Sequence, residues 1–280
     1  MSVSRAVGRD DGRASAVFWC RLACTSDVGL RRARNEDNFF FFQNVMKRDH
    51  LSSDGVLVAD TTTDELIVVG LFDGLGGELE GEVASYAAAS RLNEMRHSLL
   101  APEPAYATDA FRQMQAAIVL VREQLKLSSI GTTANLLLLR GETALSGNVG
   151  DSPAFLMRNG TLHPIYKSDT DERLLKELGL DRKPQLTQFL GIDESDIPLE
   201  PHLFRFRLSS GDRILLCSDG LTDMVSHSTL VQEMRAIRDP ADLAVSLLEL
   251  ALDAGGKDNI TIIVCDIWGK VSEGYLGGIR

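Results

Sequence analysis

Short apolar runs alternate with polar turns along most of the chain, and longer amphipathic stretches interrupt them. The runs predict strands at residues 17–25, 39–42, 67–72, 132–139, 144–149, 154–157, 161–165, 203–208, 214–217 and 260–268. Apolar residues at helical spacing predict helices over residues 81–100, 108–127, 171–180, 229–237 and 240–254. The polar stretch 47–64 predicts a loop or hairpin connection. Because strands follow one another through hairpin turns and helices come in consecutive pairs, we predict an α+β fold with mostly antiparallel sheets.

One of the predicted strands ends on an acid. The apolar run Ile67–Phe72 stops at Asp73, and a turn with Gly74, Gly76 and Gly77 follows. A carboxylate at the end of a buried strand is costly unless a cation or strong hydrogen-bond donors meet it. Glycines in such a turn let the backbone adopt left-handed conformations and approach a bound group closely. We therefore expect Asp73 to have a partner elsewhere in the chain.

Acids stand at the ends of other predicted strands in the same way. They are Asp151 after residues 144–149, Asp219 after residues 214–217, Asp258 before residues 260–268, Glu36 and Asp37 before residues 39–42, and Asp223 four residues after Asp219. Any one of them could be a turn former or a helix cap. If they converge, like charges raise one another's pKa unless divalent cations neutralise them. None of the five histidines lies in these stretches, and oxygen-only ligands favour Mg²⁺ or Mn²⁺.

Length and composition are those of a single folded domain. The chain has 280 residues, 44% of them hydrophobic, and no linker divides it. We expect a mobile N-terminal segment at residues 1–16, one catalytic domain at residues 17–270 and a C-terminal tail at residues 271–280. The net charge of −11 argues against nucleic acid or an anionic membrane as a partner.

The chain has the features of a soluble cytoplasmic protein. No apolar run approaches the roughly 18 residues of a membrane span, and residues 1–16 do not resemble a signal peptide. Four scattered cysteines without a CxxC pair predict reduced, buried thiols rather than a zinc site or a disulfide framework.

Six segments of the chain together resemble one protein family. They are SDVGLRRARNEDN, LFDGLGGELEGEVAS, GTTANLLLL, GNVGDSPAF, LLCSDGLTD and KDNITIIV. They occur in the order seen in the metal-dependent protein phosphatases, the type 2C Ser/Thr phosphatases, in their bacterial branch. The resemblance spans about Ser26 to Ile267. It implies a four-layer αββα sandwich, with two mostly antiparallel β-sheets flanked by helix pairs and the metals at one end of the sheets.

The resemblance also implies roles for the acids at the strand ends. Carried over residue by residue, Asp73 would bridge two metal ions, Glu36 and the Gly74 carbonyl would serve one ion directly or through water, and Asp219 and Asp258 would hold the other. Asp37 would orient metal-bound water. Asp151 and Asp223, with Asp219, match the family's weaker third-metal site. The cofactors implied are two core Mn²⁺ or Mg²⁺ ions and this third ion.

An arginine near the first acids matches the one that grips the substrate phosphate in the family. Arg32 lies five residues before Asp37. A planar guanidinium donates two hydrogen bonds to a phosphoryl group and keeps its charge at any working pH. Arg31 and Arg34 are close enough in sequence to compete for this role, and a solvated basic cluster is the other interpretation. The spacing favours Arg32.

The function implied by the resemblance is metal-dependent hydrolysis of phosphoserine and phosphothreonine in proteins. A metal-bridging hydroxide would attack phosphorus directly, without a covalent phospho-enzyme. The implied partners are phosphorylated Ser/Thr proteins and a cognate bacterial Ser/Thr kinase. One alternative is a pseudophosphatase that binds phosphoproteins as a regulatory module, marked by a lost metal carboxylate. Another is a nucleotide-binding protein, although the glycine turns at 74–77 and 255–257 match no phosphate-binding fingerprint.

The chain departs from the family pattern at three places. The positions where members carry a histidine near the Asp-Gly motif hold Leu75 and Glu78, so water or Glu78 would have to protonate the leaving oxygen. Pro153 replaces an arginine after Asp151. The segment Lys167–Ile197, where the family has its substrate-side flap, is short and divergent, which leaves substrate preference open.

Overall fold

Two six-stranded sheets carry the fold of this computed structural model, which describes residues 17–75, 80–192 and 198–271. In spatial order the first sheet contains β4 (Leu57–Thr62), β1 (Val17–Asp27), β12 (Ile260–Val271), β11 (Arg213–Cys217), β8 (Ala154–Arg158) and β9 (Thr161–Pro164). The second contains β10 (His202–Arg207), β7 (Thr143–Val149), β6 (Ala134–Arg140), β5 (Ile67–Phe72), β2 (Asn38–Phe41) and β3 (Asn44–Val45). Within the described residues, neighbouring strands of both sheets are antiparallel.

Helix pairs cover the outer faces of both sheets. The helices are α1 (Gly81–Met95), α2 (Pro104–Leu125), α3 (Glu172–Leu178), α4 (Asp219–Thr222), α5 (His227–Ala236) and α6 (Pro240–Asp253), with a 3₁₀ turn at Arg96–Ser98. Helices α1 and α2 pack on the second sheet, and α5 and α6 pack on the first. In the part of the chain that the structure describes, no helix has the length and apolar character needed to cross a membrane.

Three apolar layers hold the sheets and helices together. The middle layer lies between the sheets and includes Phe18 and Ile263 from the first sheet and Phe39 and Leu71 from the second. The two outer layers join each sheet to its helix pair. The predicted α+β class and four-layer αββα architecture are therefore confirmed.

Several element boundaries differ from those predicted. Helix α2 begins at Pro104 rather than at residue 108, because proline at the first helical position loses no hydrogen bond. The polar stretch 47–64, predicted as a loop or hairpin connection, contains β4, an edge strand that pairs with β1. Only the first three residues of β4 are apolar and the last three, Asp60–Thr62, are polar, so the apolar pattern there is weak. A single domain over residues 17–270 stays a prediction, and residues 1–16 and 272–280 lie outside the described residues.

A buried arginine links the first sheet to its helix pair at the edge away from the acids. Arg213 on β11 donates two hydrogen bonds to the carboxylate of Asp266, Nε to Oδ1 and Nη2 to Oδ2, both at 2.6 Å. It also donates to the carbonyl oxygens of Met234 (2.9 Å) and Arg238 (2.6 Å) at the end of α5. One side chain thus satisfies a partly buried acid and the orphan carbonyls of a helix terminus.

We expect Arg213→Ala to lower the free energy of unfolding by about 3 kcal/mol, because it leaves the partly buried Asp266 and the carbonyl oxygens of Met234 and Arg238 without their donor. The matched change Arg205→Ala removes the exposed ion pair with Glu103 and should cost less than about 1 kcal/mol. Urea denaturation of the three proteins measures both values. Equal losses in the two variants would contradict the assignment of Arg213 as a structural link.

Candidate active site

The backbone around Asp73 is fixed by the start of β6. The Asp73 carbonyl oxygen accepts hydrogen bonds from the Thr133 N–H (2.8 Å) and the Thr132 hydroxyl (2.9 Å). The Asp73 N–H donates to the Thr133 hydroxyl at 3.2 Å. The chain leaves β5 in one defined direction, and the Asp73 side chain lies at the end of the second sheet.

Gly74 is required by close approach rather than by a left-handed backbone. A Cβ atom at this position would lie 2.3 Å from the Glu36 carbonyl oxygen and 2.6 Å from the Gly81 carbonyl oxygen. The Gly74 N–H donates to that same Glu36 oxygen at 3.2 Å. Gly74 has no positive φ, so the expectation of a left-handed conformation is wrong at this residue. Gly76 and Gly77, for which it was also stated, lie outside the described residues.

A buried asparagine ties the loop that carries Glu36 to the end of the first sheet. The Asn259 Oδ1 accepts from the Glu36 N–H at 2.8 Å. Its Nδ2 donates to the carbonyl oxygens of Val28 and Arg34, both at 2.9 Å. Its own N–H donates to the Asp258 side chain at 2.9 Å. Asn259 therefore holds Glu36 and Asp258 on one side of the site.

Asp37 joins the two sheets and keeps one oxygen without a partner. The Thr261 hydroxyl on β12 donates to Asp37 Oδ2 at 2.7 Å, and Asp37 itself precedes β2. Oδ1 is buried and has no hydrogen-bond partner among the described residues. Burial raises the pKa of Asp37 to about 6, although the hydroxyls of Thr261 and Ser218 oppose the rise. A buried, unpartnered carboxylate oxygen is a place for a water or a cation.

The acids at the strand ends converge on Asp73. Burial raises the pKa of Asp73 well above its ordinary value, and the charges of Asp37, Asp219, Asp151 and Asp258 act in the same direction. Asp37 and Asp151 come from the end of the second sheet, Asp219 and Asp258 from that of the first. These five residues and Glu36 are called the acid cluster below.

Asp219 and Asp258 are brought together by a backbone contact. Gly220 lies so close to Asn259 that a Cβ atom would be 2.0 Å from the Asn259 carbonyl oxygen and 3.4 Å from the Asp258 Cβ. Burial raises the pKa of Asp219 to about 7, and the charges of Asp151 and Asp223, followed by that of Asp258, add to the rise. Asp219 opens the short helix α4, and Asp223 follows that helix as an exposed residue at the border of the acid cluster.

Of the three neighbouring arginines, Arg32 contacts the acid cluster. Its Nη2 donates to Asp258 Oδ2 at 2.8 Å, and its Nη1 lies 3.9 Å from Glu36 Oε2. Arg34 instead pairs with Glu82 at 3.0 Å. Arg31 is exposed and forms no ion pair within the described residues. The guanidinium of Arg32 thus lies beside the acid cluster, and its role in binding the substrate phosphate stays a prediction.

The surroundings of Glu36 raise the pKa of its carboxyl group. Burial raises its pKa to about 7, against the opposing charge of Arg32. The charges of Glu82, Asp258 and Asp37 add to the rise. Glu36 therefore belongs to the same electrostatic group as the acids of both sheets.

A hydrogen-bond network that the sequence did not reveal holds Gly150, the residue directly before Asp151. The buried Asp169 accepts from the Gly150 N–H at 2.9 Å, and its own N–H donates to the Gly150 carbonyl oxygen at 3.0 Å. Gln188 donates to the same carboxylate oxygen, Oδ2, at 3.1 Å, and the other oxygen, Oδ1, lies 2.7 Å from Nε2 of His202. Asp169 lies 18 residues from Asp151 in a stretch without strand or helix pattern, so no local signal marked it. Asn259 was equally unmarked, although it stands inside the segment KDNITIIV.

The flap region lies beside Asp151. Its described part contains helix α3 and Lys183, and residues 193–197 lie outside the described residues. Burial raises the pKa of Asp151, and the charge of Lys183 opposes that rise. The flap region therefore places the positively charged side chain of Lys183 near Asp151 of the acid cluster.

The positions that depart from the family pattern have structural roles. The Leu75 N–H donates to the Gly131 carbonyl oxygen at 2.9 Å, and a leucine side chain cannot donate a proton. Glu78 lies outside the described residues. The Pro153 carbonyl oxygen accepts from the Cys217 N–H at 3.0 Å, so Pro153 supports the end of the first sheet.

The donor set of the acid cluster fits magnesium or manganese. It consists of carboxylate oxygens, with the Gly74 carbonyl nearby, and oxygen ligands are those that Mg²⁺ and Mn²⁺ prefer. In residues 17–75, 80–192 and 198–271, no three or more His, Cys, Asp or Glu side chains are arranged to hold one ion as they stand. Mg²⁺ retains several waters and needs only one or two carboxylates from the protein. The unpartnered oxygen of Asp37 and the mutual repulsion around Asp73 are what a cation would relieve.

Comparison with known proteins decides the family. A sequence model described as Protein phosphatase 2C matches residues 45–247. The chain belongs to the protein phosphatase 2C family. It is 33% identical over 266 residues to the serine/threonine protein phosphatase PstP of Mycobacterium tuberculosis, covering 91% of this chain and 46% of PstP. It is 28% identical to the serine/threonine phosphatase stp of Listeria welshimeri, covering 86% of this chain and 93% of stp.

A solved structure agrees with this assignment. The catalytic domain of PstP, in complex with two manganese ions, superimposes with a TM-score of 0.71 at 31% identity, covering 90% of this chain and 100% of that one. The chain thus spans about half the length of the PstP relatives it matches and all of this catalytic domain. The family resemblance predicted from the sequence motifs is confirmed.

The raised pKa values predict how the stability of the metal-free protein depends on pH. Glu36 and Asp219 titrate near 7 and Asp37 near 6, above the ordinary values of 4.5 and 3.8. Between pH 4 and 7 the folded state therefore binds more protons than the unfolded state, and the contribution of these groups to stability falls as the pH rises through that window. In EDTA, Asp219→Asn should raise the free energy of unfolding at pH 8 by about 2 kcal/mol and have less effect at pH 5.5.

Denaturation with urea at the two pH values measures this effect. The exposed Asp253 at the end of α6 supplies the matched control, and Asp253→Asn should change stability little at either pH. A lower stability of Asp219→Asn at pH 8 would show that Asp219 is not under repulsion in the folded protein.

Proposed function

We propose that this protein is a metal-dependent protein serine/threonine phosphatase that hydrolyses phosphoserine and phosphothreonine. The observation that carries the proposal is the convergence of the acid cluster on Asp73, with one arginine in contact with it. The family to which the chain belongs and the manganese ions in the PstP structure support it. Two Mn²⁺ or Mg²⁺ ions, when bound, would supply an acidified water and withdraw charge from the phosphoryl group.

The acids divide between the two ions according to their place in the fold. Asp73, whose pKa is raised by acids from both sheets, would contact both ions. Glu36 and the Gly74 carbonyl would serve the first ion, and the Gly74 N–H donates to the Glu36 carbonyl oxygen across the two loops. Asp219 and Asp258, joined through the Gly220–Asn259 contact, would serve the second. Asp151 and Asp223, with Asp219, would form a third and more exposed site.

Asp37 and Arg32 act on water and phosphate respectively. With Oδ2 held by Thr261, Asp37 has Oδ1 free to accept a hydrogen bond from a water in the site. Arg32 is 41% exposed, so its guanidinium can donate to the phosphoryl oxygens of a protein substrate while it contacts Asp258. Leu75 cannot protonate the leaving serine or threonine oxygen, so that proton comes from water or from another side chain.

We also propose a cognate Ser/Thr kinase as the source of the substrates and a cytoplasmic location. All four cysteines are free and buried, and burial raises the pKa of the Cys24 and Cys217 thiols. Unpaired thiols of this kind are typical of a reducing compartment. The pseudophosphatase alternative has no support in the described residues, where every proposed metal carboxylate is present.

Asp73→Asn should reduce Mn²⁺-dependent hydrolysis of a phosphothreonine peptide by at least about 100-fold, because it removes the carboxylate placed between the two ions. The same change should abolish the rise in melting temperature that Mn²⁺ gives the wild type. Activity is measured by phosphate release and binding by thermal denaturation with and without EDTA. Wild-type activity that survives EDTA would sink the proposal.

Replacement of the three arginines one at a time tests which of them binds phosphate. Arg32→Lys should raise KM for the phosphopeptide by about tenfold, since a lysine cannot make two parallel hydrogen bonds to a phosphoryl group. Arg31→Lys and Arg34→Lys should each change KM less than about threefold, because neither side chain contacts the acid cluster. Steady-state kinetics with saturating Mn²⁺ gives the three values, and a larger effect at Arg34 would transfer the role to that residue.

A further inference from the structure

An apolar groove runs along the outer face of the first helix pair. Val83, Tyr86 and Ala87 of α1 and Ala117, Leu120 and Leu125 of α2 line a cavity of about 860 Å³. The loop after β3, residues 47–49, forms one rim. This cavity is called the helix groove below.

The groove combines core residues on its floor, Val83 and Ala87, with apolar side chains that are exposed. Helix α2 buries Phe111, Met114 and Ile118 against the second sheet on its other face. Leu120 and Leu125 are nevertheless 53% and 50% exposed, and Tyr86 is 39% exposed. Several exposed apolar side chains around one concave surface are typical of a binding site.

The helix groove adjoins a second cavity that lies beside the loop of Glu36. This second cavity, of about 590 Å³, shares Arg48, Asp49, Val83 and Leu125 with the groove. It is also lined by Arg34 and Asn35, the two residues directly before Glu36, and by Glu82, whose charge raises the pKa of Glu36. A chain bound in the helix groove would therefore extend toward the side of the acid cluster that holds Glu36.

We propose that the helix groove binds a segment of the phosphoprotein substrate outside the phosphorylated residue. From the start of α1 beside Arg34 to Glu94 the helix extends about 18 Å, which an extended segment of five or six residues covers. The segment carries apolar side chains that fill the space over the alanines of the groove. The groove thus determines which phosphoproteins the active site receives. This proposal rests on the proposed phosphatase function.

Charge indicates acidic residues in the same segment. Lys47 and Arg48 on the rim form no ion pair within the described residues, whereas Arg91 is paired with Glu94 at 3.0 Å. Asp49 also lies on the rim, so two basic residues and one acidic residue leave the rim as a whole weakly basic. A second copy of this chain fits less well, because two chains of net charge −11 repel each other.

Phosphothreonine peptides with and without an extension test the proposal. A short core peptide is compared with peptides that carry an added segment of two leucines and two aspartates on its N-terminal or C-terminal side. Matched peptides carry serine and asparagine instead. The enzymes are wild type, Leu120→Glu in the helix groove, and the control Leu100→Glu, whose leucine is 54% exposed outside the groove. Steady-state kinetics with Mn²⁺ gives KM and kcat, and p-nitrophenyl phosphate reports the basal activity.

We expect one leucine–aspartate extension to lower KM about tenfold in wild type and Leu100→Glu, since it buries apolar surface. Leu120→Glu should lose that gain and keep wild-type kinetics with p-nitrophenyl phosphate and the core peptide. Fluorescence anisotropy of the unphosphorylated extension measures binding without turnover, and its affinity should fall only in Leu120→Glu. The anisotropy measurement tests whether the helix groove binds the extension, whether or not the core peptide is hydrolysed. If none of the three proteins hydrolyses the core peptide, that result refutes the phosphatase function and leaves the test of the groove intact.

Three results would overturn the proposal. The first is that neither extension lowers KM or binds in the anisotropy assay. The second is that Leu100→Glu loses as much as Leu120→Glu, which would indicate a general charge effect. The third is a change in sedimentation of Leu120→Glu relative to wild type, which would make a second copy of the chain the occupant of the groove.

Discussion

Repulsion among buried carboxylates is the constraint on which the rest of this structure depends. The charges of Asp37, Asp151, Asp219 and Asp258 each raise the pKa of the Asp73 carboxyl group. Nothing in the acids themselves holds them together, and a free loop would let them separate. Their positions are instead imposed by strands that are buried on both faces and cannot shift without opening apolar layers that are packed throughout. The sandwich therefore supplies the free energy that keeps the charges close.

The site exists only when the two sheets are stacked. The Thr261 hydroxyl on the first sheet donates a hydrogen bond to Asp37 at the end of the second sheet. The Asn259 side chain, at the end of the first sheet, accepts a hydrogen bond from the Glu36 N–H, which precedes the second sheet. Two glycines, Gly74 and Gly220, allow backbone to approach backbone at distances that any Cβ atom would prevent. These hydrogen bonds between the sheets, and the absence of a Cβ atom at the two glycines, hold the like charges near one another. Packing alone would not do so.

Local sequence pattern was sufficient for the elements and for the acids, because both leave signals within a few residues. A buried strand that stops on Asp73 or Asp219 is visible without any tertiary information. The partners that hold those acids are not visible, since Asn259 and Asp169 act over 223 and 19 residues of sequence separation. The edge strand β4 was missed because only its first three residues are apolar and they stand in a polar stretch. The choice among three adjacent arginines likewise rested on spacing until the contact of Arg32 with Asp258 separated it from Arg34.

The charges of the site link substrate binding to cation binding. A phosphate group is itself an anion, and beside the acid cluster the single guanidinium of Arg32 faces at least two carboxylates. An anion brought there would be repelled unless cations of higher charge were present. Without the ions, affinity for the phosphorylated residue alone is therefore weak, and binding of the protein around that residue depends on surface farther away. The helix groove is such a surface, since its floor is apolar and its binding free energy does not depend on the charge state of the acids.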